Sequence, residues 1–209
     1  MSLETFERLP AEKRELVLSA GIGEFSRKSY ADVGTDAVIK RCGISKGLLF
    51  HYFGSKKAFY LYCLDLSLRR LTEETGEPAG NSFYEIIFSE MGRKMDLCRR
   101  HGDETLMVNM ASRDMSGEIA AEKEALLRRY TADVRGRSSR TLGRALETLD
   151  LKDGMKERAA EGLQLYLAAV INRYLLAYRQ APERFFENGA AIREEMKTYL
   201  DLILYGICR

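Results

Sequence analysis

Two closely spaced helix breaks constrain the fold of this chain more than any other sequence feature. They flank the segment CGISKGLLFHYFGSKK, residues 42–57, which has a Cys-Gly pair near one end and a Gly-Ser pair near the other. Thr35 can cap a short helix before the first break, and Ser45 can cap a second one that ends near Phe53. The spacing therefore predicts two short helices joined by a tight turn, a helix-turn-helix.

The second short helix carries two kinds of side chain. A rotation of about 100° per residue places Leu49 and Phe53 on one face, which can hold the helix to its neighbours. Gly47 and His51 fall on the opposite face, and we expect the remaining residues to point outward. A buried helix rarely carries lysine, and an ordinary surface helix rarely carries several rings. The pattern therefore predicts an outward surface that combines charge with aromatic side chains.

That outward surface suits a DNA duplex. The start of the helix offers unpaired N–H groups to a phosphate, and the glycine on this face lets another backbone approach closely. Lys46 and Lys56 supply positive charge, and His51 and Tyr52 can donate hydrogen bonds to phosphate oxygens. Leu48 can meet a thymine methyl group in the major groove. Since aromatic-rich helices also occur in protein cores, the pattern alone leaves DNA binding and core packing as alternatives.

The segment GTDAVIKRCGISKGLLFHYFGSKKAFY resembles the DNA-binding domain of the TetR family of transcriptional repressors, and the resemblance extends from about residue 10 to 70. It rests on a Thr that opens the first short helix, a buried apolar pair, a Gly at the turn, the SKG tripeptide, a Leu, an aromatic cluster and a following Lys. In that family the second short helix enters the major groove. The resemblance implies DNA contacts at Thr35, Ser45, Lys46, Gly47, Leu48, Phe50, His51, Tyr52 and Lys56.

Two positions depart from the family pattern. Phe50 stands where Tyr is usual, so a hydroxyl that could bind phosphate is missing. Leu48 stands where a small or polar residue is common, and it can contact a methyl group but cannot form a hydrogen bond. Base recognition in this chain is therefore expected to depend on fewer polar contacts or on DNA shape.

Composition places the chain among all-α proteins. Its 209 residues are 45% hydrophobic and 31% charged, which is enough to bury a core in one or two domains. Helix-forming residues dominate, and there are only 3 prolines. The net charge is +2, and the 4 scattered cysteines contain no C-x-x-C pair, which indicates reduced side chains. The first 57 residues contain 10 Lys/Arg and 7 Asp/Glu, a weak indication of a polyanionic partner.

The sequence predicts a cytoplasmic protein without a membrane partner. The N-terminal stretch MSLETFERLP has no apolar signal core. Asn172 and Arg173 interrupt the most apolar stretch before it reaches the length of a membrane span. These two residues can orient a polar ligand, form a hydrogen-bonded group at a dimer interface, or reach solvent.

We predict three parts along the chain. They are a helix-turn-helix domain at 1–54, with the motif itself at about 35–53, a connecting helix at 55–74, and a helical regulatory and dimerisation domain at 75–209. The boundary falls in TGEPAGNS, which has the composition of a linker. We expect the first helix to begin at Pro10, and the C-terminal helices to span about 82–100, 103–111, 116–149, 154–180 and 186–207.

The last two helices are apolar over most of their circumference. Such a helix is buried on more than one side, and a partner subunit can cover the side that its own domain does not. Both helices could instead be central in a monomer, but the terminal position of the last one favours a homodimer. TetR-like proteins dimerise through their last two long helices. The predicted interface contains Leu167, Ile171, Tyr199 and Ile203.

A methionine-rich region suggests where a small molecule could bind. Five of the 8 methionines lie within 25 residues, and methionine suits adaptable binding surfaces as well as ordinary core gaps. The predicted effector-binding residues are Phe88, Met91, Met95, Met110, Tyr130 and Tyr166.

These patterns and the resemblance to the TetR family together imply a ligand-responsive transcriptional regulator, with repression as the expected mode. It would bind palindromic operator DNA as a homodimer and be released by a small, largely apolar effector, without a cofactor or metal. The alternative is an all-helical carrier or sensor of a hydrophobic small molecule that does not bind DNA. An enzyme is less expected, because the 2 histidines, His51 and His101, have no clustered ligands or nucleophile to act with.

Overall fold

The structure is a computed structural model that describes residues 3–72, 76–177, 184 and 187–207. Helices dominate these residues, which confirms the predicted all-α fold. In chain order the α-helices are α1 (Leu3–Glu7), α2 (Ala11–Phe25), α3 (Thr35–Cys42), α4 (Lys46–Phe53), α5 (Lys56–Arg70), α6 (Phe83–Arg100), α7 (Gly102–Arg113), α8 (Ala120–Leu146), α9 (Lys156–Ala177) and α10 (Gly189–Ile207). A short 3-10 turn, Gly117–Ile119, precedes α8.

The N-terminal helices correct the sequence prediction in two places. The prediction begins the first helix at Pro10, whereas α1 precedes it and Pro10 is the N-cap of α2. A helix as short as α1 is unstable alone, and the burial of Phe6 explains why it forms. The prediction also makes Thr35 a helix cap. Gly34 holds that position instead, and the Thr35 side chain is buried rather than turned back to cap the helix.

Contacts divide the chain into two compact units. Unit 1 contains Met1–Thr75 and Arg100–Ala132, and unit 2 contains Gly76–Arg99 and Asp133–Arg209. Within unit 1, α7 packs against both α2 and α5. The three-part division expected from the sequence stays a prediction, and the structure adds that the segment around α7 shares a core with the N-terminal helices.

Aromatic rings fill the core of unit 1 around the end of α4. The ring centroid of Phe53 lies 4.8 Å from that of Phe6 and 4.7 Å from that of Phe59. Gly21 allows this close packing, because a Cβ atom there would lie 2.4 Å from the Phe59 ring. The absence of a side chain at this position therefore lets α5 pack directly on α2 and fixes the base on which α4 rests.

Unit 2 has a separate aliphatic core. Leu163 of α9 and Leu200 of α10 are fully buried, together with Leu146 at the end of α8 and Phe83 at the start of α6. A smaller cluster formed by Val170, Tyr174, Ile192 and Met196 lies between α9 and α10. In the part of the chain that the structure describes, none of the helices combines the length and apolar character needed to cross a membrane.

Candidate nucleic-acid interface

The turn between α3 and α4 has the geometry that its sequence predicts. Gly43 ends α3 with a φ of 67°, a left-handed conformation that favours glycine, and its N–H donates to the Ile39 carbonyl at 2.9 Å. The Ser45 hydroxyl accepts a hydrogen bond from the Leu48 N–H at 3.2 Å, which confirms Ser45 as the cap of α4. The two short helices therefore form a helix-turn-helix with a defined entry to α4.

Helix α4 has one exposed face and one buried face. Leu49 and Phe53 are buried, in agreement with the prediction, and Phe50 is partly buried. Five of the predicted DNA-contacting residues are exposed, and they are Ser45, Lys46, Gly47, Leu48 and His51. The exposed part of α4 and its N-cap therefore includes one cation, one histidine, one apolar side chain and one glycine. We call these five residues the α4 face.

Tyr52 is the correction on this helix. The prediction places it outward, whereas only 8% of its surface is exposed. Its ring centroid lies 5.5 Å from that of Phe6, because α1, which the sequence did not predict, covers this side of α4. The missed signal is Phe6 itself, an isolated aromatic residue in a polar N-terminal stretch. Its long-range contact with α4 has no local sequence pattern.

Gly47 has open space around it. A Cβ atom at this position would meet no atom closer than the Ser45 hydroxyl, at 4.0 Å. Packing within the chain therefore gives no reason for a glycine here, although glycine weakens a helix relative to alanine. The open space is available to a molecule that approaches the α4 face from outside.

The helix-turn-helix carries an excess of positive charge. Residues 35–57 contain five lysine or arginine residues and one aspartate. The Lys46 ammonium lies 3.4 Å from the Asp36 carboxylate, but both side chains are exposed, so water screens this pair. Lys57 pairs with Glu122 at 2.7 Å, whereas the Lys56 ammonium lies 4.5 Å from the centre of the Tyr30 ring. The two neighbouring lysines thus have different surroundings.

The predicted effector-binding residues fall into both units. Met110 and Tyr130 belong to unit 1, where the Tyr130 hydroxyl donates to Asp65 of α5 at 3.2 Å. Phe88, Met91 and Tyr166 belong to unit 2 and pack against the small cluster between α9 and α10. Met95 lines a cleft of about 520 Å³ in the same unit, next to Gly189 and Arg193.

Tyr166 has a buried hydroxyl without a hydrogen-bond partner among the described residues. Burial raises the pKa of this phenol above its ordinary value, and the neighbouring Tyr199 adds to the effect, so the group stays protonated. An unpaired buried hydroxyl costs free energy unless some partner satisfies it. Among the effector candidates, Tyr166 therefore offers a polar group that is available to a ligand.

The predicted dimer residues differ in their exposure. Leu167 and Ile203 are partly buried within unit 2, and Tyr199 is 39% exposed. The side chain of Ile171 lies outside the part of the chain that the structure describes. Three other apolar residues on the same two helices are more exposed, at 68% for Leu165, 68% for Leu202 and 85% for Tyr205. Sequence periodicity detected these residues but could not show which side of each helix its own domain covers.

Arg173 has a clear set of neighbours. Its guanidinium donates to Glu195 of α10 and to the Tyr174 hydroxyl, and it lies over the Tyr174 ring at 5.0 Å. The sequence left open contact with a ligand, a group at a dimer interface, or solvent, and the structure instead shows Arg173 in a contact between α9 and α10 within the chain. The side chain of Asn172 lies outside the described residues.

Across the described residues, no group of three or more His, Cys, Asp or Glu side chains could hold a metal ion.

Comparison with known proteins finds a family match in the N-terminal region. Residues 17–63 match the model of bacterial regulatory proteins of the tetR family, and this range includes α3, α4 and the turn between them. A curated relative, described as the uncharacterised HTH-type transcriptional regulator YerO of Bacillus subtilis (strain 168), is 28% identical over 96 residues. That alignment covers 44% of this chain and 33% of the relative, so the chain matches about a third of the relative's length.

Solved structures show the same fold along nearly the whole chain. A TetR family transcriptional regulator from Chloroflexus aurantiacus J-10-FL aligns with a TM-score of 0.64 and 20% identity, covering 99% of this chain and 98% of its own. The reduced form of E. coli NemR aligns with a TM-score of 0.59 and 22% identity, covering 89% and 96% of the two chains. The predicted arrangement of an N-terminal helix-turn-helix domain and a C-terminal helical domain is therefore confirmed.

Proposed function

We propose that the chain is a transcriptional regulator of the TetR type, which the match of residues 17–63 to the tetR family model and the fold of the solved structures support. In this proposal it binds operator DNA as a homodimer and releases it when a small, largely apolar effector binds. The proposed mode is repression. The α4 face is the surface proposed to enter the major groove. Tyr52 and Thr35 are buried and therefore offer no exposed side chain to DNA.

The observation that carries the proposal is the α4 face with its unfilled glycine. A cation, a histidine and the start of a capped helix surround a position where the backbone itself is accessible. Helix N-termini bind phosphate through free N–H groups, and close approach requires the absence of a Cβ atom. A hydrophobic-ligand carrier that does not bind DNA has no use for this combination, so the DNA-binding function is favoured.

Exposed apolar residues of unit 2 support the proposed homodimer. Leu165 on α9 and Leu202 on α10 are each 68% exposed, and Tyr199 and Tyr205 extend the apolar surface along α10. Exposed apolar side chains that recur along two helices of one domain mark an interaction surface. We propose that these four residues join Leu167, Ile171 and Ile203 in the interface, with the most exposed side chains at its centre.

The proposed effector site lies in unit 2, around Phe88, Met91 and Tyr166. These side chains border the cluster between α9 and α10, and the Tyr166 hydroxyl supplies a polar group that has no hydrogen-bond partner among the described residues. Such sites bind apolar ligands that carry one suitably placed polar group. An effector can release DNA only through its different affinities for the two states of the protein, and the coupling is reciprocal.

Binding of a random-sequence duplex at several salt concentrations tests the DNA-binding proposal. We expect Kd to rise steeply with salt, because each phosphate contact contributes about 0.9 to the log–log slope. Lys46→Ala should flatten that slope by about one unit. Lys156→Ala is the matched control, because Lys156 is equally exposed and also pairs with a carboxylate, but lies in unit 2. Duplex binding that is absent, or insensitive to salt, would favour the carrier function instead.

A further inference from the structure

The loop between α2 and α3 holds the ammonium group of Lys56. Tyr30 in this loop is only 3% exposed, and the Lys56 Nζ atom lies 4.5 Å from the centre of its ring. The same Nζ donates to the Ala31 carbonyl at 3.4 Å. A ring and a carbonyl attract a cation without neutralising it, and no carboxylate of a described residue pairs with Lys56. Its charge therefore stays available to a phosphate.

Lys57 provides an internal comparison. It follows Lys56 directly, but its ammonium pairs with the Glu122 carboxylate of α8 at 2.7 Å. The fold thus neutralises one lysine at the start of α5 and positions the other against an uncharged ring. The two adjacent lysines therefore differ in their partners, and the partner of Lys56 is the ring of Tyr30.

The turn between α7 and α8 holds Tyr30 at two points. The Tyr30 backbone N–H donates to the Asp114 carboxylate at 2.5 Å, and the Tyr30 hydroxyl donates to the Glu118 carboxylate at 2.7 Å. Because one bond fixes the backbone and the other fixes the end of the ring, the ring cannot turn away without breaking at least one of them. Residues more than eighty positions away in the chain therefore determine where the ring lies.

Further hydrogen bonds fix the position of Asp114 in the turn between α7 and α8. The Asp114 carboxylate accepts a second hydrogen bond from the Ser116 N–H at 2.8 Å, and its carbonyl accepts one from the buried Lys123 ammonium. Burial by itself raises the pKa of Asp114, but the hydrogen bonds from Ser116 and Tyr30 and the charge of Lys123 outweigh it and lower the pKa overall. Asp114 is therefore ionised at neutral pH and holds the loop through a charge-assisted bond.

We propose that Tyr30 is the positioning residue for Lys56, and that the Asp114–Glu118 turn sets the place from which Lys56 contacts a DNA phosphate. This inference rests on the proposed DNA-binding function. Lys56 is the residue that touches DNA, and Tyr30 acts through it. The turn between α7 and α8 thereby becomes part of the DNA-binding apparatus, although it lies far from the helix-turn-helix in sequence.

A double-mutant comparison tests the inference. Duplex binding is measured at several salt concentrations for the unmodified chain, Tyr30→Leu, Lys56→Met and the double variant. We expect each single substitution to reduce the log–log salt slope by about one unit and the double variant to lose no more than either single one. A purely structural role for Tyr30 would lower the melting temperature but leave the slope unchanged.

An exposed variant keeps the test valid if Tyr30→Leu fails to fold. Glu118→Gln weakens the acceptor for the Tyr30 hydroxyl at an exposed position. Glu124→Gln is its matched control, because it removes a charge of the same sign a few residues further on, in α8, where Arg128 is the ion-pair partner of Glu124 among the described residues. We expect Glu118→Gln to bind duplex about two- to fivefold more weakly than the control, the effect of a weakened hydrogen bond.

The outcomes separate this inference from the function on which it rests. If Lys56→Met flattens the slope while Tyr30→Leu and Glu118→Gln behave like the unmodified chain and the control, the DNA-binding function stands and the role of Tyr30 is wrong. If the unmodified chain does not bind duplex in a salt-dependent manner, the proposed function fails and this inference fails with it.

Discussion

Gly47 is the residue at which the needs of the fold and of the proposed function diverge most clearly. Its helix would be more stable with a side chain, and the surrounding space would accept one. Gly21 is the opposite case, because a side chain there would collide with the Phe59 ring. The two glycines are therefore needed for different reasons. Packing in the core requires Gly21, whereas Gly47 is explained only by a molecule that binds from outside.

Gly47→Ala should therefore stabilise the protein and weaken DNA binding at the same time. Alanine reduces the freedom of the unfolded chain, so we expect a gain of about 0.4–1 kcal/mol in the free energy of unfolding, measured by urea denaturation. The added methyl group would stand between α4 and a phosphate, so duplex affinity should fall. If the variant is stabilised but its affinity for duplex is unchanged, the DNA backbone does not approach Gly47 closely.

At the scale of the element, α7 is joined to the DNA-binding helices by an ion cluster around Arg70. The Arg70 guanidinium of α5 donates to Glu15 of α2 at 2.5 Å and to Glu104 of α7 at 2.6 Å. Burial by itself lowers the pKa of Arg70, but the two carboxylates outweigh it and hold the cation. The Glu104 side chain is only 12% exposed, so water can replace little of this interaction.

Arg70→Met should lower the free energy of unfolding by about 1.5–3 kcal/mol, because it leaves the nearly buried Glu104 carboxylate without its main partner. Arg128→Met is the control, since Arg128 and Glu124 form an exposed pair on α8 that contributes about 0.3–0.5 kcal/mol. Urea denaturation of both variants measures the difference. Equal, small losses would mean that this cluster does not hold α7 in unit 1.

The sequence predicted those elements whose stabilising interactions join residues close together in the chain. The caps at Ser45 and the break at Gly43 follow from interactions within four residues, so the sequence predicted α3, α4 and the turn between them. Phe6 covers Tyr52 through a contact between residues far apart in the chain, and no periodicity in the sequence indicates it. The same limit explains why Tyr30 and Asp114 were not singled out as partners.

At the scale of the whole molecule, the proposed dimer predicts a specific effect of charge. The exposed Leu165 and Leu202 contribute little to the protomer core, so Leu165→Glu with Leu202→Glu should leave the fold intact and yield a monomer in light scattering. Burying two carboxylates in an apolar interface is strongly unfavourable. Val134→Glu is the control, because Val134 is an exposed apolar residue of α8 outside this surface. A double variant that remains a dimer would place the interface elsewhere.

A dimer also determines the form of the DNA site. Two copies of α4 related by a two-fold axis present the same face to two half-sites about one helical turn apart, roughly 34–36 Å, or a multiple of that distance. Leu48 is the apolar side chain on this face that can distinguish a thymine methyl group. The proposed function therefore requires a palindromic or near-palindromic operator whose sequence depends on α4.

Selection of bound duplexes from a random pool tests this requirement most directly, with the unmodified chain and Leu48→Ala examined in parallel. The expected result is a palindromic or near-palindromic sequence for the unmodified chain, and a change at one symmetric pair of positions for the variant. The opposite result is a pool that shows no enriched sequence, or an enriched sequence without two-fold symmetry that Leu48→Ala leaves unchanged. That result would contradict the proposal that two copies of α4 read the operator.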